Sequence, residues 1–353
     1  MTARRKAVVI CPGRGTYNKT ELGYLHRFHA DKADLIATFD AERARLNQAG
    51  VWELDGSASY TLSTFSRGDN AAPLIFACSY ADYLSLNRAA LDVVAVTGNS
   101  MGWYTALACG GALDAAHGFA VANAMGVNTM TGIEGGQVIY TLVDEDWQLI
   151  PGRMRALQDI MDSLNARMGP SLYVSIRLGG MVVLAGNETA LDALMKEAPV
   201  GPGRFPMKLQ NHGPFHTPLM TPASERALST LPVDWFAMPR LPLVDGRGHI
   251  WRPFATDREA LWDYTLRTQV VEPYDFTRAV QVAVKEFAPD CLIILGPGDT
   301  MGGAVAQSLI DIRWRGLDSK AAFAALQASS PFVLAMGRED QRDLAIQGAI
   351  EHV

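Results

Sequence analysis

Continuous rather than alternating apolar runs mark the first strands of this chain. Ala7-Val8-Val9-Ile10-Cys11 is closed by Pro12-Gly13-Arg14-Gly15, and Val93-Val94-Ala95-Val96-Thr97 is closed by Gly98 and followed by a helical stretch from Met101 to Gly110. Unbroken apolar strands suit the middle of a parallel sheet covered on both faces, so two strand-turn-helix units are expected in the first third. Ala81 to Ala90 and Ala115 to Met125 read as further helices.

From Glu134 the texture changes. A strand from Gly135 to Leu142 precedes an amphipathic helix from Arg153 to Met168, then a strand (Leu172 to Ile176), a Gly179-Gly180 turn and a strand (Met181 to Ala185). A helix (Thr189 to Glu197) and a last strand (Phe205 to Leu209) complete the order strand, helix, strand, strand, helix, strand, the split pattern of a ferredoxin-like unit. This places a small domain at residues 134–208, inserted into a large domain built from 1–133 and 209–353. Leu241 to Val244 and Cys291 to Leu295 read as further core strands, and the segment from Arg313 onward as polar-faced helix on the surface.

With 48% apolar and 19% charged residues among 353, the chain has ample core material for a folded enzyme and no disordered tract. No apolar run approaches the ~18 residues of a membrane span, and none has the form of a signal peptide, so a cytoplasmic protein without membrane contact is expected. Cys11, Cys78, Cys109 and Cys291 lie far apart without metal-ligand spacing, which fits a reducing compartment and no metal. The net charge of -6 disfavours nucleic acid as a partner.

The chemistry concentrates at Gly98-Asn99-Ser100-Met101-Gly102. A serine in GxSxG between a strand and a helix sits on a tight turn that exposes its hydroxyl, and the amide of Met101 at the helix start can donate to an oxyanion. Serine needs a neighbouring base, usually histidine. His26 and His29 read as surface residues without a metal cluster, His117 as a solvated helix residue, and His352 lies in the tail. His212, His216 and His249 remain, and pattern alone gives His216 a modest edge over His212, its neighbour in the Asn211-to-Met220 loop.

These motifs resemble those of the malonyl-CoA:acyl carrier protein transacylase family and the acyltransferase domains of fatty acid and polyketide synthases. Gly98 to Tyr104 is similar to that family's GHSLGEY, Pro12-Gly13-Arg14-Gly15 to PGQGSQ, Gly213-Pro214-Phe215-His216-Thr217-Pro218-Leu219-Met220 to its catalytic histidine loop, Leu184 to Asn187 to a strand end of its small domain, and Leu295-Gly296-Pro297-Gly298 to its GPG turn. The resemblance implies an α/β fold, an α/β-hydrolase-like large domain with a mostly parallel sheet plus the inserted ferredoxin-like domain. It implies ping-pong acyl transfer from coenzyme A to the phosphopantetheine thiol of an acyl carrier protein through acyl-Ser100, with His216 as base, and a monomer with no permanently bound cofactor. The oxyanion would be held by the backbone amides of Met101 and Arg14, and the histidine oriented at a position aligned to Asp275, through either its carbonyl or its carboxylate.

The chain departs from that family around the acyl pocket. The arginine that holds malonate aligns to Met125, and no arginine occurs between Arg88 and Arg153. Asn99 replaces a histidine and Trp103 a glutamate, so Asn99, Trp103 and Met125 are expected to set specificity. An apolar Met125 favours an acyl group without a second carboxylate, so malonyl is not expected as the preferred donor, although Arg14 offers a carboxylate partner from another direction. A hydrolase of acyl carrier protein thioesters using the same serine and histidine, and a binding subunit that has lost catalysis, are the competing readings. Arg204 and Lys208 are candidate docking cations for an acidic carrier protein.

Overall fold

The computed structural model describes residues 4–347 except positions 202 and 204. Eleven strands fall into two sheets. The first holds β1 (Arg5–Cys11), β2 (Leu91–Gly98), β7 (Leu243–Val244), β8 (Ile250–Trp251), β10 (Cys291–Ile294) and β11 (Val333–Ala335), in the order β11-β10-β1-β2-β7-β8. All its pairings are parallel except the β7-β8 hairpin. The middle strands are buried along most of their length, as their continuous apolar runs require.

The second sheet holds β3 (Gly136–Thr141), β4 (Leu172–Leu178), β5 (Met181–Gly186) and β6 (Met207–Leu209), ordered β6-β3-β5-β4. The helices Arg153–Met168 and Glu188–Glu197 pack Leu157, Met161, Leu164, Leu191 and Leu194 against Val138, Tyr140, Leu172, Val182 and Leu184, a core separate from that of the first sheet. A further short strand, β9 (Tyr274–Asp275), returns from the far part of the chain and pairs in parallel with β4, matching Ile176 to Tyr274 and Arg177 to Asp275.

Two sequence expectations change. The chain beyond Arg313 is not merely a surface layer: Val333–Ala335 is an edge strand of the first sheet, and Arg342 beyond it is buried. His29 is fully buried rather than superficial, bonded through Nε2 to Asp82 at 2.8 Å. Asp82 also accepts from Tyr24 and from the amide of Gly296, and Arg342 pairs with it at 2.5 Å.

Candidate active site

β2 delivers Ser100 at the C-terminal end of the first sheet, where the chain reverses into the helix Gly102–Cys109. Ser100 has φ +54, a left-handed conformation that costs a non-glycine residue about 1–2 kcal/mol. The flanking glycines let this turn exist. A Cβ on Gly98 would stand 2.9 Å from the amide nitrogen of Trp103, and one on Gly102 only 2.7 Å from the carbonyl oxygen of Pro12. Gly13 is equally constrained, 2.6 Å from the carbonyl oxygen of Asn99, so the Pro12–Gly15 turn lies directly against the serine turn. Met101 precedes the first helical residue, so its amide has no partner within the helix and is free to donate toward an oxyanion.

His216 arrives from the other sheet's exit loop, with its Nε2 2.7 Å from Ser100 Oγ. Its Nδ1 lies 2.5 Å from the backbone carbonyl oxygen of Gln269. A carbonyl only accepts, so the ring proton sits on Nδ1 and Nε2 presents a lone pair to the serine hydroxyl. Burial lowers the His216 pKa to about 4, with the bond to Gln269 opposing the shift. The ring is therefore neutral at physiological pH and able to take a proton.

Gln269 offers its carbonyl for a reason visible in the chain. It opens the short helix Gln269–Val271 that follows a π-helical turn, Tyr264–Thr268, and its carbonyl would ordinarily accept from the amide four residues on. That residue is Pro273, which has no N–H. The freed acceptor turns to the histidine. The same residue's Nε2 donates to the hydroxyl of Tyr104 at 2.7 Å.

Asp275, the position aligned to this orienting role, does not perform it. Its carboxylate accepts from the amide of Arg278 and caps the helix Phe276–Phe287, its own amide donates to Gly246, and Arg177 stands 3.8 Å away. The proline-freed carbonyl lies six residues earlier, and neither alternative for Asp275 holds.

The histidine loop is braced from the second sheet. His216 has φ +58, and its neighbour Phe215 accepts at its carbonyl from Ser175 Oγ at 2.7 Å. Gln137 donates to Ser175 at 2.7 Å, and His212, through Nδ1, donates to Gln137 at 2.7 Å. Burial and the charge of Arg14 push the His212 pKa well below its ordinary value. His212 thus buttresses the loop, and His249 packs edge-on against Trp251 in the β7-β8 hairpin.

Beside the Ser100–His216 pair lies a cavity of about 50 Å³ lined by Ala72, Met101, Met125, Gly126, Thr129, Phe215, Met220, Val270, Tyr104, Gln269 and Arg14. Met125 lines it. Asn99 and Trp103 do not. Asn99 turns toward Met301, and Trp103 is fully buried, its indole N–H donating to Thr265 and its ring edge-on to Tyr264. Tyr104, four residues past Ser100, takes the wall instead. Helical spacing brings both aromatic residues near the serine, and only tertiary packing selects between them.

Lys208 is held by Glu188 and Asp192, which removes it as a free docking cation, and Arg204 lies outside the described residues. No helix among the described residues is long and apolar enough to cross a membrane.

No family model matches this sequence. It is 24% identical over 341 residues to the malonyl CoA-acyl carrier protein transacylase of Haemophilus influenzae, covering 92% of this chain and 98% of that protein. Among solved structures, an acyl-carrier-protein S-malonyltransferase from Burkholderia pseudomallei superposes with TM-score 0.73 at 20% identity, covering 97% of this chain and 99% of that one. The malonyl CoA-acyl carrier protein transacylase of Coxiella burnetii gives 0.72 at 14% identity, covering 98% of both. A malonyl-transacylase solved in complex with a type II polyketide synthase acyl-carrier protein gives 0.70 at 18% identity, covering 98% of this chain and all of that one. From end to end, then, the chain is similar to malonyl-CoA:acyl carrier protein transacylases and has their fold.

Proposed function

We propose that this protein is an S-acyltransferase that moves an acyl group from a coenzyme A thioester to the phosphopantetheine thiol of an acyl carrier protein, with a selectivity altered away from malonyl. The observation that carries the reading is the 2.7 Å approach of a neutral His216 Nε2 to the hydroxyl of a serine held at φ +54. Ser100 Oγ attacks the thioester carbonyl carbon as His216 takes its proton. The oxyanion is received by the amides of Met101 and Arg14. Collapse of the tetrahedral adduct breaks the C–S bond, and the leaving thiolate takes the proton back from His216, leaving acyl-Ser100. The carrier thiol then gives its proton to His216, attacks the ester, and restores the serine by the reverse sequence.

The altered selectivity is supported by the wall built from the helix Ala115–Asn128, which presents Met125 and Gly126 to the cavity. A carboxylate buried against that wall alone would have no counterion, at a cost of several kcal/mol.

Mixing the protein with acyl-CoA and measuring its intact mass tests the reading: one acyl adduct is expected, lost in Ser100→Ala. Single-turnover chase then separates the two catalytic outcomes. Adduct that decays as quickly in buffer as with holo carrier protein would make the protein a hydrolase, and no adduct with any thioester would leave only a binding role.

A further inference from the structure

A second feature of the cavity points to its ligand. Arg14 lines the cavity beside Ser100, and its guanidinium is buried, with no ion-pair partner among the described residues. Its Nη2 donates to the backbone carbonyls of Ser66 and Asn211, the latter at 2.8 Å, while Nε and Nη1 are buried and have no partner among the described residues. The ring of Phe215 lies 5.2 Å from the guanidinium carbon. Asp69, the carboxylate whose field acts on Arg14, is already engaged by Arg67 at 2.7 Å. Burial lowers the Arg14 pKa only to about 10, so the group stays charged.

A buried cation with unused donors is costly unless something anionic completes it. Among the described residues, nothing else that lines this cavity carries a charge: the remaining walls are apolar side chains, the Tyr104 and Thr129 hydroxyls, the Gln269 amide, the serine and the neutral His216. The two anchored bonds hold the guanidinium plane in place, which suits it to planar, charge-assisted recognition of a carboxylate.

We propose that Arg14 is the specificity residue of the acyl pocket, and that the acyl group carried on Ser100 bears a carboxylate which Arg14 pairs. The inference rests on the acyl-serine reading above and refines it. The cation absent from the helix wall at Met125 is supplied from the Pro12–Gly15 turn, so the carboxylate is presented in a different direction, and the preferred diacid is the one whose length and branching suit that direction. The competing account makes Arg14 only a clasp between the Ser66 and Asn211 segments.

The test is the rate of Ser100 acylation, by intact mass, for malonyl-, methylmalonyl- and succinyl-CoA against uncharged branched isosteres such as isovaleryl- and 4-methylpentanoyl-CoA. At least one carboxyacyl donor should load tenfold or more faster than its isostere. In Arg14→Gln that ratio should fall to near one, and in Arg14→Lys, which keeps charge without the fork, it should be intermediate. Isosteres that load as fast as the carboxyacyl donors in the native protein overturn the proposal, whatever the variants do. A ratio unchanged in Arg14→Gln overturns it too and leaves the clasp. Absence of any acyl adduct in the native protein instead defeats the underlying acyltransferase reading.

Discussion

Two histidines are buried among the described residues, His216 and His29, and opposite kinds of partner hold them. His29 meets the carboxylate of Asp82, which is also engaged by Arg342, Tyr24 and the amide of Gly296. His216 meets no carboxylate. It has a backbone carbonyl on one side and a serine hydroxyl on the other, on a strained backbone beside an open cavity. A carboxylate with four partners joins distant parts of the chain and acts as a brace. A carbonyl fixes the tautomer without supplying charge, leaving the imidazole free to gain and lose a proton. Of these two buried histidines, the one paired with an aspartate is the brace, against the intuition that a Ser-His-Asp triad encourages.

The sharpest way to break that contrast is to remove each histidine's function in turn. His216→Ala should slow Ser100 acylation by about 10⁴-fold, about 5.5 kcal/mol of transition-state stabilisation, with denaturant unfolding little changed. Asp82→Ala should do the reverse. It strands Arg342 in the interior and should cost about 3–5 kcal/mol in unfolding free energy, while the molecules that remain folded acylate at the native rate. Loss of acylation without loss of stability in Asp82→Ala would mean the two networks are coupled.

The pH profile sharpens the same distinction. For His216 to act as the proposed base it must be neutral, and burial lowers its pKa to about 4, so activity should persist as pH falls past 6 and decline only near 4. A partner carboxylate would instead have favoured the imidazolium and raised the limb, so an acid limb at 6.5 or above would contradict the carbonyl-held geometry. A smaller perturbation acts on that carbonyl itself. Pro273→Ala supplies the missing amide, which competes for the Gln269 oxygen as an ordinary helical bond. A roughly tenfold fall in acylation rate is expected, by analogy with other disrupted orienting bonds to histidine, with the serine untouched.

These residues differ in how much of their role the sequence carries. Ala7–Cys11, Val93–Thr97 and the serine turn were readable because strand, turn and serine are contiguous, and the glycines at 98 and 102 are what so tight a turn requires. The split strand-helix pattern from Glu134 onward was readable for the same reason. Val333–Ala335 was not: three residues are too few to show a period, and edge pairing with β10 is a tertiary event. Asp82, His29 and Arg342 stand 53 to 313 positions apart in the chain, and burying charge is tolerable only once all have met. Gln269 was within reach, since Pro273 four residues later announces a free carbonyl, but a motif alignment counts side chains and passes over an acceptor that belongs to the backbone. Arg14 was noticed as a substitution, yet its unpaired nitrogens depend on where Ser66 and Asn211 fold.

The smallest expected effect bears on the aspartate that sequence alignment places beside the histidine. Asp275 sits in β9 against Arg177 of β4, and its side chain accepts the Arg278 amide at the start of the helix Phe276–Phe287. Burial raises its pKa from the ordinary carboxylate value, opposite to what a carboxylate stabilising an imidazolium would show. Asp275→Ala should therefore remove a helix cap, costing about 1 kcal/mol in denaturant unfolding, and change the acylation rate by less than about twofold. Asp275→Asn keeps an acceptor for the same amide and should recover most of that stability. A hundredfold loss of acylation in both variants, at native stability, would return the aspartate to the histidine and remove the distinction between the two buried networks.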